Sequence, residues 1–133
     1  VHWREAPEPN MSLFADLQFV FARRFFLAEQ YAVPGPWLTE CVELFGQHEP
    51  KGWKLAAAQA MLGRAALENG DHETAERLLL LGHQSLVEVQ ADLDSADKSL
   101  VPDTVRWIIQ FYKATGNVTA AEQWQAKLDA IDR

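Results

Sequence analysis

The run that begins at His72 comes nearest to a catalytic motif in this sequence. A helical zinc-protease site needs two histidines one turn apart, which hold the metal, and a glutamate beside the first, which acts as a general base. Here Glu73 follows His72, but Glu76 stands where the second histidine must be. A single histidine cannot hold zinc. The run is therefore interpreted as the start of a helix, where Glu73 and Glu76 complement the helix dipole.

An acidic run resembles the spacing of a calcium-binding loop. The run Asp92, Asp94 and Asp97, followed by Asp103, matches the first, third and last ligand positions of such a loop. The run lacks the glycine that allows the sharp turn of such a loop, and it lacks the glutamate that closes the ligand shell with two oxygens. We interpret this segment as a solvated connection.

Cys41 is the remaining candidate for nucleophilic catalysis, and His48, seven residues later, is the histidine that could activate its thiol. Cys41 lies in an apolar stripe with Leu38 and Val42, where a thiol usually packs rather than reacts. The histidines show no metal-ligand spacing, and no Gly-x-Ser-x-Gly elbow is present. The sequence therefore predicts a protein that is not an enzyme and uses no cofactor and no metal. As the only cysteine, Cys41 allows no internal disulfide, which fits a reducing compartment.

The composition favours a single acidic domain. Of 133 residues, 48% are hydrophobic, and the formal net charge is −7. Because an acidic chain repels phosphate and anionic lipid heads, we expect neither nucleic acid nor a membrane as partner. The first residues do not read as a signal peptide, and we expect a cytoplasmic protein. Since the chain begins with Val1, either ten residues precede a natural start at Met11, or it is part of a longer protein.

Helical periodicity fills nearly all of the sequence after residue 10. Residues 1–10 hold two prolines and are predicted to be an extended N-terminal arm, and residues 11–133 to form one helical domain. The breaks in periodicity fall at Pro34-Gly35-Pro36, Gly46 to Gly52, Gly70-Asp71, Pro102 and Gly116-Asn117. They predict three helical hairpins at about 12–46, 52–93 and 98–132.

Two of the breaks share one chemistry. Gly70 and Gly116 can adopt the left-handed conformation that ends a helix, and Asp71 and Asn117 can cap the helix that follows. So short a turn folds the two flanking helices against each other. Apolar stripes continue on both sides of each turn. They are Ala75, Leu78, Leu79, Gly82, Leu86, Val89 and Leu93; then Val105, Ile108, Ile109 and Tyr112; and finally Ala121, Trp124, Leu128 and Ile131.

When the hairpin tips are aligned, the sequence resembles the tetratricopeptide repeat, a unit of about 34 residues. The family's Leu-Gly pair appears as Leu62-Gly63, its mid-helix aromatic as Tyr31 and Tyr112, and its turn as Gly70-Asp71. The small residue early in its second helix appears as Ala75 and Ala121. Residues 53–128 also resemble the repeat tails of bacterial eukaryote-like Ser/Thr kinases and related regulators, although no kinase motif is present.

The resemblance implies an all-α, right-handed stack of about three helix-turn-helix hairpins (an α-solenoid). It also implies a groove, lined by the first helices of the hairpins, that binds a peptide or helix. The predicted groove residues are Phe25, Phe26, Glu29, Met61, Arg64, Glu68, Arg106, Trp107, Gln110 and Lys113. Arg64, Arg106 and Lys113 would form a cationic strip, which predicts a preference for acidic or C-terminal-carboxylate peptides. The function favoured is a protein-interaction module, for which the C-terminal part of a larger signalling protein is one candidate context.

Two other functions stay open. One is a structural oligomerisation domain, and the other is an enzyme built on a helical bundle. The first helix is apolar nearly all round, so it needs cover on more than one side. We predict a homodimer through its Phe14, Phe19 and Phe26 side. The alternative is that the N-terminal arm folds back and Trp3 fills the gap.

Overall fold

The computed structural model describes residues 11–131, with side chains from residue 13 onward. The arm predicted for residues 1–10, with Trp3, lies outside the described residues. The described part holds six α-helices and a single 3-10 turn, and no strand. The helices are α1 (Met11–Leu27), α2 (Gly35–His48), α3 (Trp53–Glu68), α4 (His72–Glu88), α5 (Leu100–Thr115) and α6 (Val118–Ile131), with the 3-10 turn at Gln90–Asp92.

The predicted all-α class is confirmed for this part of the chain. Each helix contacts the next one along the sequence, and the α3–α4 contact is the most extensive. Contacts also join α3 to α5, so α3 lies at the centre of the domain. None of the described helices is both long enough and apolar enough to cross a membrane.

The two capped turns are confirmed. Gly70 has φ of 79° and Gly116 has φ of 82°, the left-handed conformation that glycine adopts at no steric cost. The Asp71 carboxylate accepts a hydrogen bond from the Thr74 backbone N–H at 3.2 Å. The Asn117 side-chain oxygen accepts one from the Ala120 N–H at 3.1 Å. Both tips therefore form as local sequence chemistry dictates.

The first hairpin differs from the prediction. Tyr31 was expected within a helix, as the family's mid-helix aromatic, but α1 ends at Leu27 and Tyr31 lies in the loop before α2. Glu29 takes the left-handed conformation there, with φ of 59°. Gly35 was aligned with the turn glycines, yet it is the first residue of α2. The prolines at 34 and 36 explain this, because proline is suited to the first turn of a helix.

The side of α1 that was predicted to form a dimer is partly wrong. Phe19 and Phe26 are buried within the domain, and only Phe14 of the predicted three is exposed. Phe19 contacts the rings of Phe45 and Trp53, with centroids 5.9 Å apart in each case. Sequence periodicity could not separate these residues, because phenylalanine occurs on both sides of this helix. The exposed apolar surface lies on the opposite side of α1.

Two glycines bring α3 and α4 together. A Cβ atom on Gly63 would lie 2.8 Å from the Leu79 backbone nitrogen, and one on Gly82 would lie 2.6 Å from the Ala60 backbone nitrogen. Six of the sixteen residues of α3 are alanine, and the buried residues of this helix run from Ala56 to Ala66. Small side chains let the helix backbones approach closely, so α3 can be surrounded.

The last helix, α6, packs through a smaller apolar cluster. Val105, Ile109 and Leu128 are its buried members, with Trp124 packed against them. The Trp124 ring meets the His83 imidazole edge-on, with centroids 4.8 Å apart. Ile131 was predicted to share the buried stripe, but it is 44% exposed. Ile131 is the last residue of α6 and lies about one turn beyond Leu128, the last residue of this helix in the cluster.

His83 predicts a pH dependence of stability. Burial lowers its pKa below the usual 6.5, and the nearby Lys127 ammonium lowers it further. Since the unfolded chain then binds this proton more readily than the folded one, the stability contributed by neutral His83 is present above about pH 6.5. It is lost as the pH falls through the lower folded pKa. We expect the melting temperature to fall more steeply between pH 7 and 5 in the parent than in His83→Phe, which keeps an aromatic ring against Trp124. Parallel curves for the two proteins would contradict this assignment.

Candidate functional site

A groove of about 300 Å³ lies where α1, α3 and α5 come together. These are the helices that begin the three hairpins predicted from the sequence. The groove is bounded by the C-terminal half of α1 and the loop after it, by α3 and by the start of α5. Its lining residues are Arg23, Phe26, Leu27, Glu29, Tyr31, Met61, Ser99, Leu100, Asp103, Arg106, Trp107 and Gln110.

Three aromatic rings form one side of this groove. The Phe26 ring lies edge-to-face against Tyr31, with centroids 5.0 Å apart, and against Trp107 at 5.3 Å. Edge-to-face rings at this separation attract each other beyond the burial of their surfaces. Phe26 and Trp107 are each 8% exposed. The three rings therefore form an apolar wall that joins α1 and the loop after it to α5.

Arg64 lies behind the wall. Its side chain is 9% exposed, and its guanidinium lies 4.0 Å from the centre of the Tyr31 ring. It donates hydrogen bonds to the Gln110 side-chain oxygen at 2.9 Å and to the Glu68 carboxylate at 2.7 Å. Burial raises the pKa of Tyr31, although the Arg64 charge opposes the shift. Arg64 is thus fully engaged and fixes the position of Tyr31 and Gln110.

The rim of the groove carries two ion pairs. Arg23 bonds Asp97 at 2.6 Å, which ties α1 to the connection before α5. Arg106 bonds Asp103 at 2.9 Å across one turn of α5, and both side chains are more than 40% exposed. An exposed pair of this kind contributes little stability. Arg106 is therefore the arginine of this surface that can most readily bind another carboxylate in place of Asp103.

The ten residues predicted for the groove fall into three sets. Six of them line it: Phe26, Glu29, Met61, Arg106, Trp107 and Gln110. Arg64 and Glu68 lie behind it as a bonded pair. Phe25 and Lys113 are not among its lining residues, since the Phe25 ring packs on Trp37 of α2, with centroids 5.5 Å apart, and Lys113 is exposed further along α5. The expected strip of Arg64, Arg106 and Lys113 is thus not a single surface.

Sequence reasoning missed several groove residues. Tyr31 was assigned to a helix, so its role in a loop could not be foreseen. Arg23 and Asp97 are 74 residues apart, and no local pattern signals such a pair. Asp103 had a local signal, because it stands one turn before Arg106 on α5, where opposite charges are neighbours.

The residues considered for catalysis are occupied otherwise. Cys41 is buried, and burial raises the pKa of its thiol to about 12, so a reactive thiolate is disfavoured. His72 packs edge-on against Phe111, and Glu76 accepts a hydrogen bond from the Tyr112 hydroxyl at 2.9 Å. Among the described residues, no group of three or more His, Cys, Asp or Glu side chains is arranged to hold a metal ion.

Two other cavities, of about 450 and 590 Å³, lie against α3 and α4. Neither is lined by an aromatic ring, whereas the groove between α1, α3 and α5 combines such rings with polar groups. That combination is typical of binding sites. Comparisons of the chain with protein-family models, with curated proteins and with solved structures found no match.

Proposed function

We propose that this chain is a non-catalytic protein-interaction module that binds a peptide or helix in the groove between α1, α3 and α5. The proposal includes a stack of three tetratricopeptide-like hairpins, in which these helices are the first of each pair. The motif resemblance in Leu62-Gly63 and the two capped turns supports that arrangement. The same resemblance underlies the proposal that the chain belongs to a larger cytoplasmic signalling protein.

The aromatic wall of Phe26, Tyr31 and Trp107 is the observation that carries the proposal. Aromatic residues and arginine are the residue types that most often dominate binding energy at protein interfaces. A volume of about 300 Å³ is at the low end for a ligand pocket, and it suits one large apolar side chain rather than a cofactor. The ligand would therefore insert one anchor side chain and run along the rim.

Charge on the rim limits which peptides fit. The net charge of the chain is −7, so a strongly acidic ligand is repelled overall. Locally, Arg106 is exposed and held only by a weak pair with Asp103. A single carboxylate, placed near the apolar anchor, can replace Asp103 as its partner and form two hydrogen bonds. We therefore expect a peptide with one apolar anchor and one neighbouring carboxylate, for example at its C-terminus.

A displayed peptide library tests this expectation. We expect the parent protein to enrich peptides that pair a bulky apolar residue with a carboxylate. Arg106→Ala should lose the carboxylate preference and weaken binding of a selected peptide by about tenfold, on the order of 1.4 kcal/mol. Lys113→Ala is the matched control, because it removes one positive charge from the same helix outside the groove and should bind like the parent.

Each outcome bears on the proposal. Equal weakening by the two substitutions would show that only net charge matters and that the groove is not the site. Failure of the parent to enrich any peptide would contradict the proposed function itself. The rival role as an oligomerisation domain is favoured by a different feature, the apolar surface of α1.

A further inference from the structure

The outer face of α1 is apolar and exposed. We define this face as Phe14, Leu17, Val20, Phe21 and Leu27, with Arg24 among them. The apolar side chains are 44%, 51%, 52%, 56% and 87% exposed, in that order. At 3.6 residues per turn they span an arc of about 140°. The buried residues Phe19 and Phe26 lie on the other side of the helix, so this face is not part of the core.

The spacing within this face is that of a helix-packing seam. Phe14, Leu17, Phe21 and Arg24 follow one another at steps of three, four and three residues. Steps of this kind keep side chains in line along one side of a helix, as in paired helices. The face is therefore built for a second helix lying nearly along α1, rather than for a flat surface or a small molecule.

The size of the face sets what can cover it. Its five apolar side chains expose roughly 500 Å² in total, which is near the upper end for the largest apolar patch of a monomer. A standard interface buries about 800 Å² on each partner. Packing two such faces together, with the neighbouring residues of α1 and α2, approaches that area. When two identical faces pack together, each one covers the apolar surface of the other, as in a symmetric dimer.

We infer that the outer face of α1 binds the same face of a second copy of this chain, with the two α1 helices antiparallel and the two-fold axis near Val20. Leu27, at the C-terminal end of α1, belongs both to this face and to the lining of the proposed peptide groove, whereas the other residues of the face lie outside that groove.

The charge on the face selects the antiparallel arrangement. Arg24, in the last turn of α1, is the only charged residue within the face. In a parallel pair, Arg24 of the two copies would lie side by side and repel. In an antiparallel pair the two arginines lie at opposite ends, and the helix dipoles are opposed, which is the more favourable arrangement.

The antiparallel arrangement also supplies a partner for Arg24. Asp16 lies one turn before Val20, and Arg24 lies one turn after it. A two-fold axis at Val20, perpendicular to both helices, therefore brings Arg24 of one copy level with Asp16 of the other, on the same side of the pair. The Asp16 carboxylate is 39% exposed and bonded to Lys54 at 2.8 Å, so one of its oxygens can accept a second cation.

Sedimentation or light scattering over a micromolar concentration range tests the inference. The parent is expected to approach twice the 15.0 kDa mass of one chain as concentration rises. Leu17→Glu and Phe21→Glu should each weaken association by at least tenfold, because each buries a carboxylate in the seam. Val118→Glu is the matched control, since Val118 is an exposed apolar residue of α6, 65% exposed, and should associate like the parent. Circular dichroism confirms that each variant stays folded.

A cross-linking experiment keeps the test independent of those variants. With a short bismaleimide, Val20→Cys should yield a covalent dimer, whereas Val118→Cys should not. Cys41 does not interfere, because it is buried. A parent that stays at 15.0 kDa would overturn the inference and indicate that the first ten residues, or nothing, cover the face. The inference would also be overturned if the protein dimerised but Leu17→Glu and Phe21→Glu did not weaken the dimer and Val20→Cys gave no cross-linked product.

Discussion

Gly82→Ala is expected to lower the free energy of unfolding by about 1–3 kcal/mol, although alanine is the better helix former. The added Cβ would lie 2.6 Å from the Ala60 backbone nitrogen, 2.7 Å from the Ala60 Cβ and 2.8 Å from its Cα. These atoms belong to the middle of α3 and cannot move without shifting that helix. The gain in helix propensity, about 1 kcal/mol, offsets only part of the strain.

Gly63→Leu tests the same contact from the other helix. Its Cβ would lie 2.8 Å from the Leu79 backbone nitrogen and 2.9 Å from the Leu79 Cγ, so a larger side chain forces α3 and α4 apart. We expect a destabilisation at least as large as that of Gly82→Ala. Thermal unfolding measures both, with roughly 3–5 °C lost per kcal/mol in a domain of this size.

Gly46→Ala is the matched control for these substitutions. Gly46 lies within α2, and a Cβ there meets nothing within 4 Å. This change should therefore raise stability by about 0.5–1 kcal/mol through helix propensity alone. If Gly82→Ala raised the melting temperature as Gly46→Ala does, the close approach of α3 and α4 would be wrong.

The second and third hairpins were predictable because their signals are local. A left-handed glycine and a capping residue, as at Gly70-Asp71, fix a turn within a few residues of sequence. The apolar stripe of α4 then follows from periodicity, and its buried residues were identified correctly. Even the close contact at Gly63 was anticipated, because a glycine inside an apolar helix usually has a packing reason.

The first hairpin and half of the groove were not predictable in the same way. Phe25 and Phe26 are adjacent, and which of them faces the groove depends on how α1 docks against α3 and α5. The partly buried hydrogen bonds from Arg64 to Gln110 and from Arg23 to Asp97 join residues that are 46 and 74 positions apart. Such pairs arise from tertiary packing, and one sequence carries no pattern for them.

Phe26 is expected to contribute much more to the stability of the domain than its neighbour Phe25. Phe26 is 8% exposed and contacts both Tyr31 and Trp107. Phe26→Ala should leave a cavity between the first and third hairpins and lower the free energy of unfolding by about 3–5 kcal/mol. Phe25 is half-buried against Trp37, so Phe25→Ala should cost clearly less. Chemical unfolding of the two variants measures the difference.

A double-mutant cycle separates the aromatic contact from the cavity. The coupling between Phe26→Ala and Trp107→Ala should be about 0.5–1.5 kcal/mol, the value typical of paired rings. The coupling between Phe25→Ala and Trp107→Ala should be close to zero, because the Phe25 ring packs on Trp37 outside the groove. Equal couplings would mean that both phenylalanines reach Trp107, which would contradict this orientation of α1. Because α1 carries both the groove wall and the outer apolar face, that result would also relocate the surface inferred for self-association.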